Sequence, residues 1–111
     1  MAKIDEYRDY IKRILTEFSN YKSLNEEVET QTIFDTENDH YQLVHVGWRN
    51  KRRIYGCVLH VDIKDNKIWI QHDGTEIGIA GELEKFGVPK SDIVLGFHAP
   101  YKRKFTDFAV G

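Results

Sequence analysis

The sequence has a single cysteine and no long apolar run. The lone Cys57 excludes an intrachain disulfide framework, so the cysteine content does not require an oxidising compartment. No stretch approaches the roughly 20 apolar residues that a membrane-spanning helix needs. Residues 1–7 contain acids and a tyrosine where a secretion signal would have a basic and then an apolar region. We therefore expect a soluble, cytoplasmic protein that has no contact with a membrane.

An excess of charge of one sign is also missing. The 16 Lys and Arg residues are balanced by 18 Asp and Glu residues, which leaves a net charge of −2. A protein that binds nucleic acid over a wide surface carries a clear positive excess, so any DNA contact here requires a local patch. A chain of 111 residues suits one domain. We treat residues 1–111 as that single domain.

What the sequence does contain is a change of hydrophobic period, which predicts an α+β fold. Over residues 4–21, apolar residues recur every three or four positions, the spacing of one face of an amphipathic helix. Four stretches rich in β-branched and aromatic residues follow, and they predict a four-stranded antiparallel meander. The predicted strands are residues 28–36, 41–49, 53–63 and 67–72, with two-residue turns at Asn50-Lys51 and Asp65-Asn66.

The last third of the chain predicts a short C-terminal helix and an irregular tail. Gly87 suits the left-handed residue that ends a helix, and Pro89 prevents its continuation. Residues 91–97 fit either a fifth short strand or a packed turn, and the tail covers residues 99–111. The apolar residues that share the predicted helical face are Ile77, Ala80, Leu83 and Phe86.

Both faces of the predicted sheet are partly apolar, which indicates an interface. A sheet with one solvated face alternates more cleanly between apolar and polar residues, and a contiguous exposed apolar patch marks a binding surface. Either another chain or the tail must then cover the second face, and we interpret it as the surface of a homo-oligomer or a hetero-complex. The residues assigned to this interface are Tyr41, Leu43, His45, Val58, His60 and Trp69.

The most site-like segment is QHDGTE, residues 71–76, where a strand leads into the second helix. Its His72, Asp73 and Glu76 suit an acid/base or metal site, so they are the first candidates for catalysis. The interpretation that we prefer is structural: Asp73 or Thr75 caps the helix, and Glu76 completes a capping box if Asp73 is the cap.

A second set of carboxylates and imidazoles lies on the predicted strands and the first turn. Mixed clusters of this kind can hold a divalent cation. No recognised ligand spacing is present, however, and the acidic alternation in residues 35–39 lacks the Gly and distal Glu of a calcium loop. We therefore assign no metal ligand and no cofactor, and interpret that segment as a solvated turn. The set consists of Asp35, Glu37, Asp39, His40, His45, His60 and Asp62.

Two basic segments interleaved with aromatic residues are candidates for nucleic-acid contact. Basic side chains can bind phosphates while aromatic rings stack on bases. The alternative is that these charges solubilise a hairpin tip, which the overall acidity favours. The basic residues are Arg49, Lys51, Arg52 and Arg53 at the predicted hairpin, and Lys102 and Arg103 in the tail.

Long motifs with uncommon residues run through the whole chain. They are IFDTE (residues 33–37), DHYQL (39–43), VGW (46–48), RIYGC (53–57), KIWIQHDGTE (67–76) and VPKSDIVLGFH (88–98). Together they closely resemble the XisI-like family, the cyanobacterial fdxN element excision controlling factors.

The resemblance implies a role in the programmed excision of a DNA element during heterocyst development. In that process a separate site-specific recombinase cuts and rejoins the DNA, and XisI-like proteins act as accessory controlling factors. They are usually paired with an XisH-like protein, which is similar to an endonuclease. No catalytic residue is carried over from the family. We therefore expect a non-enzymatic protein that binds an XisH-like partner and itself; a DNA-contacting module is the second hypothesis and a metal-assisted hydrolase the third.

Overall fold

The two longer helices pack on one face of an open five-stranded sheet. A computed structural model describes residues 3–20 and 27–111. The elements are α1 (Lys3–Ser19), β1 (Val28–Asp35), β2 (His40–Arg49), β3 (Arg52–Lys64), β4 (Lys67–Asp73), α2 (Ile79–Lys85), a 3₁₀ turn (Lys90–Asp92), β5 (Ile93–Leu95) and α3 (Pro100–Arg103). Over the described residues, no helix is both long enough and apolar enough to span a membrane.

The sheet order follows the chain, β1-β2-β3-β4-β5. The first four strands are antiparallel, which confirms the α+β class and the predicted meander. The fifth strand pairs parallel with β4, because α2 carries the chain back to the start of that strand. Residue 21 of the predicted helix, and residues 25 and 26 of the following connector, lie outside the described residues.

Two tight turns join β2 to β3 and β3 to β4. Asn50 and Lys51 have φ values of 49° and 68°, and Asp65 and Asn66 have values of 53° and 64°. Two successive left-handed residues form the type I′ turn, whose twist matches that of antiparallel strands. Both two-residue turns predicted from the sequence are confirmed.

The apolar core lies between the helices and one face of the sheet. Helix α1 turns one stripe of side chains towards the sheet, because its apolar residues recur every three or four positions. Helix α2 adds Ile79 and Leu83 beside that stripe. The buried residues of this core include Tyr7, Ile11, Ile14 and Leu15 of α1, and Tyr41, Leu43, Leu59, Val61, Ile68, Ile70 and Ile93 of the sheet.

A β-bulge in β3 decides which residues share a sheet face. Leu43 of β2 pairs with Leu59, but the next residue, Val44, pairs with Cys57. Val58 is therefore an extra residue in β3. Strict alternation would place Cys57 and Leu59 on the same face of the sheet, but the extra residue places them on opposite faces. Leu59 faces the helices, whereas Cys57 lies on the face away from them. We call that second side the outer face.

The predicted interface is wrong for the residues that this arrangement turns inward. Tyr41 and Leu43 are 0% and 2% exposed and belong to the core under α1. The bulge residue Val58 packs against the same core. His45 follows Leu43 by two positions, so it also lies on the helix side, where it is half-buried.

His60 and Trp69 lie on the outer face, but the tail covers Trp69. Ala109 forms a parallel bridge with Val94 of β5, and the Lys67 Nζ donates to the Gly111 carbonyl at 2.6 Å. These contacts hold the tail against the β4–β5 side of the sheet, so the Trp69 side chain is only 9% exposed. The tail thus covers part of the second face, one of the two alternatives predicted from the sequence.

Helix α2 begins at Ile79, two residues after Ile77, the first residue of its predicted apolar face. Gly78, with φ 83°, precedes the first helical residue, Ile79. Ile77 therefore lies in the preceding loop and is 60% exposed, whereas Ile79 is 0% exposed. Placing Ile77 on the buried helical face is thus wrong, because a loop rather than a helical turn occupies residues 74–78.

The end of α2 is as the sequence predicts. Gly87 has φ 96°, and its N–H donates to the Glu84 carbonyl at 2.9 Å. The N–H of Val88 donates to the Leu83 carbonyl at 3.2 Å, and both of these apolar side chains are buried. This pair of hydrogen bonds is the Schellman motif, which needs a left-handed residue that glycine adopts without strain.

Asp92 connects the start of α1 to the turn before β5. The Lys3 Nζ lies 2.5 Å from the Asp92 Oδ2, and the Tyr7 hydroxyl donates to the same oxygen. Burial acts to raise the pKa of Asp92, but the hydrogen bonds from Lys3 and Tyr7 outweigh it and leave the pKa below its usual value. The ionised carboxylate therefore stabilises the contact between α1 and β5.

Substitution of Ile79 should destabilise the protein far more than substitution of Ile77. Ile79→Ala removes a fully buried side chain from the core, for an expected loss of about 2–5 kcal/mol in the free energy of unfolding. Ile77→Ala is the matched control, with an expected change within about 0.5 kcal/mol because the side chain is mostly exposed. Urea denaturation followed by circular dichroism measures both. Similar losses for the two variants would contradict the position of α2.

Stability should depend on pH through Asp92. Since its folded pKa is below the unfolded value of about 3.9, its contribution is present above that pH and is lost as the pH falls through the folded pKa. Asp92→Asn should therefore lower the free energy of unfolding at pH 7 and have a smaller effect near pH 2. Denaturation curves across this range test it. The same loss at both ends would show that the carboxylate charge is not responsible.

Candidate functional site

Two histidines and an aspartate meet on the outer face. His40 begins β2 and lies opposite Asp62 of β3, and His60 precedes Asp62 by two positions on the same face. The His40 Nδ1 lies 2.8 Å and the His60 Nε2 lies 2.9 Å from one oxygen, Oδ1 of Asp62. Hydrogen bonding to this carboxylate raises the pKa of His40 above its usual value. Both rings thus converge on a single carboxylate.

Two glutamine side chains hold this group in place. Gln71 donates from its Nε2 to the Oδ2 of Asp62 at 3.2 Å. The Gln42 side chain, opposite His60 in the register, lies with its Nε2 3.3 Å from the His60 Nδ1. The carboxylate and one of the imidazole rings are therefore oriented by hydrogen bonds on the side away from their shared contact.

The structure places other acids of the sequence set in different contacts. Asp39 pairs with Arg8 of α1, whose Nε and Nη2 donate to its two oxygens at 2.7 and 3.0 Å. Asp35 accepts the backbone N–H groups of Glu37 and Asn38, both at 3.1 Å. Residues 35–39 thus form a turn, as predicted, but one that is fastened to α1 through Asp39.

The segment that contains His72, Asp73 and Glu76 is a hydrogen-bonded loop. The Asp73 Oδ1 accepts from the N–H and the hydroxyl of Thr75 at 2.9 and 2.6 Å. Its Oδ2 accepts the N–H of Ile79, the first residue of α2, at 2.9 Å. Asp73 therefore caps the helix from a distance. The predicted capping box is wrong, because the helix begins at Ile79 and the exposed Glu76 lies in the loop before it.

Asp73→Ala should destabilise the protein because it leaves the N–H groups of Thr75 and Ile79 without their charged acceptor. Hydrogen bonds to charged groups contribute about 1.5–3 kcal/mol, so we expect a loss of roughly that size. Glu76→Ala, at an exposed position three residues along, is the control and should change the free energy of unfolding by about 0.5 kcal/mol or less. Equal effects in urea denaturation would contradict the capping role.

The two basic segments occupy different environments. At the β2–β3 hairpin, Arg53 lies with its guanidinium 5.4 Å from the ring centroid of Trp48. In the tail, Arg103 donates to the carbonyls of His98 and Gly96 at 3.1 and 3.4 Å and lies over the Trp69 ring. Arg103 therefore holds the tail against the sheet, whereas the hairpin offers a group of exposed cations. These hairpin residues are Arg49, Lys51, Arg52 and Arg53.

Apolar side chains are exposed where the tail does not reach. Ile33, Trp48 and Tyr55 are 48%, 50% and 75% exposed on the outer side of β1, β2 and β3. We call this surface the open face; its residues are Ile33, Val44, Val46, Trp48, Tyr55 and Cys57. Strict alternation along β3 does not predict this surface, because the bulge changes which residues of β3 share a face. The available signal was Gly56, since a glycine inside a strand pattern suggests a bulge.

Comparisons with known proteins give one family. The family model described as XisI protein matches residues 1–110. The crystal structure of a XisI-like protein from Anabaena variabilis ATCC 29413 is 48% identical and has a TM-score of 0.92, with 98% of this chain and 100% of that chain covered. The fdxN element excision controlling factor XisI from the same organism is 36% identical with a TM-score of 0.85, over 99% and 100% of the two chains. No curated protein matches the chain.

Proposed function

The chain belongs to the XisI family, and on that premise we propose that it is an accessory controlling factor for the excision of a DNA element. The named role of the 36% identical Anabaena protein, an fdxN element excision controlling factor, supports this function. The similarity covers nearly all of both chains, so the two proteins share the whole fold on which such a role would rest. In this proposal the chain binds an XisH-like partner during programmed DNA rearrangement in heterocyst development, and it catalyses no reaction itself.

The observation that carries the binding role is the open face. Its exposed aromatic side chains, Trp48 and Tyr55, are of the types that contribute most to protein interfaces. Contiguous exposed apolar surface on a folded chain marks a site of association. The three strands of this face are joined by antiparallel backbone pairing, which presents these side chains on a rigid support.

The charges around the open face favour a protein partner over DNA. The exposed cations of the β2–β3 hairpin border the face, so a partner surface with an apolar centre and acidic residues at its rim is complementary to it. Contacts between basic side chains and phosphates dominate the affinity of proteins for DNA. A chain of net charge −2 with one basic hairpin offers few such contacts, so tight binding to DNA is not expected. We therefore assign the open face to the XisH-like partner and any DNA association to the complex.

The contacts of the candidate catalytic residues support a non-enzymatic role. Both oxygens of Asp73 accept hydrogen bonds from the loop that it caps, so this carboxylate is engaged in a structural task. His72 and Glu76 are exposed at either end of the same loop. A general base or nucleophile needs a group that can turn to a substrate, and Asp73 cannot do so without releasing α2.

Tyr55→Asp should weaken the complex with the XisH-like protein. The substitution places a charge on the most exposed aromatic side chain of the open face, and loss of a hot-spot aromatic contact typically lowers affinity by roughly 30-fold or more. Tyr101→Asp is the matched control, because Tyr101 is 67% exposed on α3, outside the open face. Co-expression with the XisH-like protein, pull-down and titration calorimetry compare the three chains.

The other possible occupants are distinguished in the same experiment. Light scattering of the chain alone measures self-association, and sensitivity of that assembly to Tyr55→Asp would assign the open face to a second copy instead. A mobility-shift assay with Arg52→Ala plus Arg53→Ala tests direct DNA binding, which should fall steeply with added salt if it occurs. Failure to form a complex with the XisH-like protein, or equal affinity of both tyrosine variants, would contradict the proposal.

A further inference from the structure

Three side chains on neighbouring positions of β2 and β3 present the ligand set of an open metal site. One nitrogen each of His40 and His60 and one oxygen of Asp62 all lie within 4.8 Å of one another. Two imidazoles and one carboxylate form the protein ligands of open zinc sites, with a fourth position left for water. We propose that His40, His60 and Asp62 bind a divalent transition-metal ion of the Zn²⁺ type on the outer face.

The two distances from the imidazoles to the carboxylate are already close to those of a bound ion. In a tetrahedral site with zinc bonds near 2.0–2.1 Å, the ligand atoms lie about 3.3 Å apart. The Asp62 Oδ1 is already 2.8 Å from the His40 Nδ1 and 2.9 Å from the His60 Nε2. The ion therefore replaces the protons in these two hydrogen bonds. Each imidazole nitrogen then moves roughly half an ångström away from the Asp62 oxygen.

Strand register, rather than a loop, sets this geometry. His40 lies directly opposite Asp62, and Gln42 lies directly opposite His60, so four side chains form a square on one sheet face. Directly opposed side chains in an antiparallel pair are within reach of each other. A site on paired strands loses less conformational freedom when it binds its ligand than a site on a flexible loop does.

The contacts behind the ligands are those that a metal site needs. The Gln71 Nε2 donates to the Asp62 oxygen that faces away from the histidines. The Gln42 Nε2 lies 3.3 Å from the His60 Nδ1, and the Nε2 on the other side of the ring is the nitrogen that faces Asp62. A ligating histidine donates its second N–H to an acceptor, and the amide oxygen of Gln42 provides one once the amide is turned over.

The donor types select the kind of ion. Imidazole nitrogens favour zinc and similar transition metals, whereas Ca²⁺ and Mg²⁺ prefer shells of oxygen ligands. The His40 side chain is 56% exposed, so the remaining coordination position opens towards solvent. An ion held here bridges β2 and β3, and its binding energy adds to the stability of the folded chain.

The test is a titration of the untagged, chelator-treated chain with ZnCl₂ in a calorimeter. We expect one Zn²⁺ per chain and a rise of roughly 10 °C in melting temperature at a Zn²⁺ concentration about 100-fold above Kd. Asp62→Asn and His60→Gln should each weaken binding by at least about tenfold. His45→Gln is the control: His45 lies on the helix side of the sheet, outside this ligand group, and its replacement should leave the affinity unchanged.

A second readout reports the geometry of the site. Co²⁺ in place of Zn²⁺ should give the strong visible absorption of tetrahedral cobalt with nitrogen and oxygen ligands, and MgCl₂ should not displace it. Circular dichroism checks the fold of each variant, and His40→Gln, at an exposed strand end, replaces any ligand variant that fails to fold. Absence of saturable Zn²⁺ binding, or full affinity in the ligand variants, would overturn the proposal. Because the isolated chain is used, neither result depends on the proposed partner.

Discussion

The β-bulge at Val58, one extra residue of β3 in its pairing with β2, decides which side chains of the sheet are buried and which are exposed. Because Val58 has no partner of its own, Leu59 faces the helices while Cys57 and Tyr55 turn to the outer face. A sheet without this bulge would bury one continuous alternating set of β3 side chains against α1. The bulge instead divides β3 into one part that completes the core and another that provides exposed apolar surface.

The tail then divides the outer face into two regions. It covers the β4–β5 side, where Arg103 and Lys64 lie over the Trp69 ring and Ala109 pairs with Val94. It leaves the outer side of β1 to β3 open, and that region carries exposed Tyr55 and the cations of the hairpin. The His40, His60 and Asp62 group lies on this same face, on two of the three strands that form the open face. Binding surface and ligand group are thus consequences of one strand pairing.

Local chemistry explains which parts of the fold could be predicted. The three-and-four spacing of Ile11, Ile14 and Leu15 predicted α1, and the Asn50-Lys51 turn predicted the hairpin, because both depend on residues close together in the chain. Gly87 predicted the end of α2 for the same reason. The predicted sheet face was wrong for Tyr41 and Leu43, because the position of a bulge depends on how two strands pair, and Gly56 was the one signal for it within β3. The predicted start of α2 was wrong because the cap is the side chain of Asp73, which lies six residues before Ile79 in the chain.

The sequence by itself determined the class of fold, the strand order of the meander and the family, because these follow from periodicity, short turns and long local motifs. Only the tertiary structure decided which side chains meet. His40 and Asp62 are 22 positions apart in the chain and show no ligand spacing, yet strand register brings His40 Nδ1 to 2.8 Å from the carboxylate. The open face was likewise decided by the bulge and by the path of the tail. Both depend on contacts between distant segments, which one-dimensional spacing does not record.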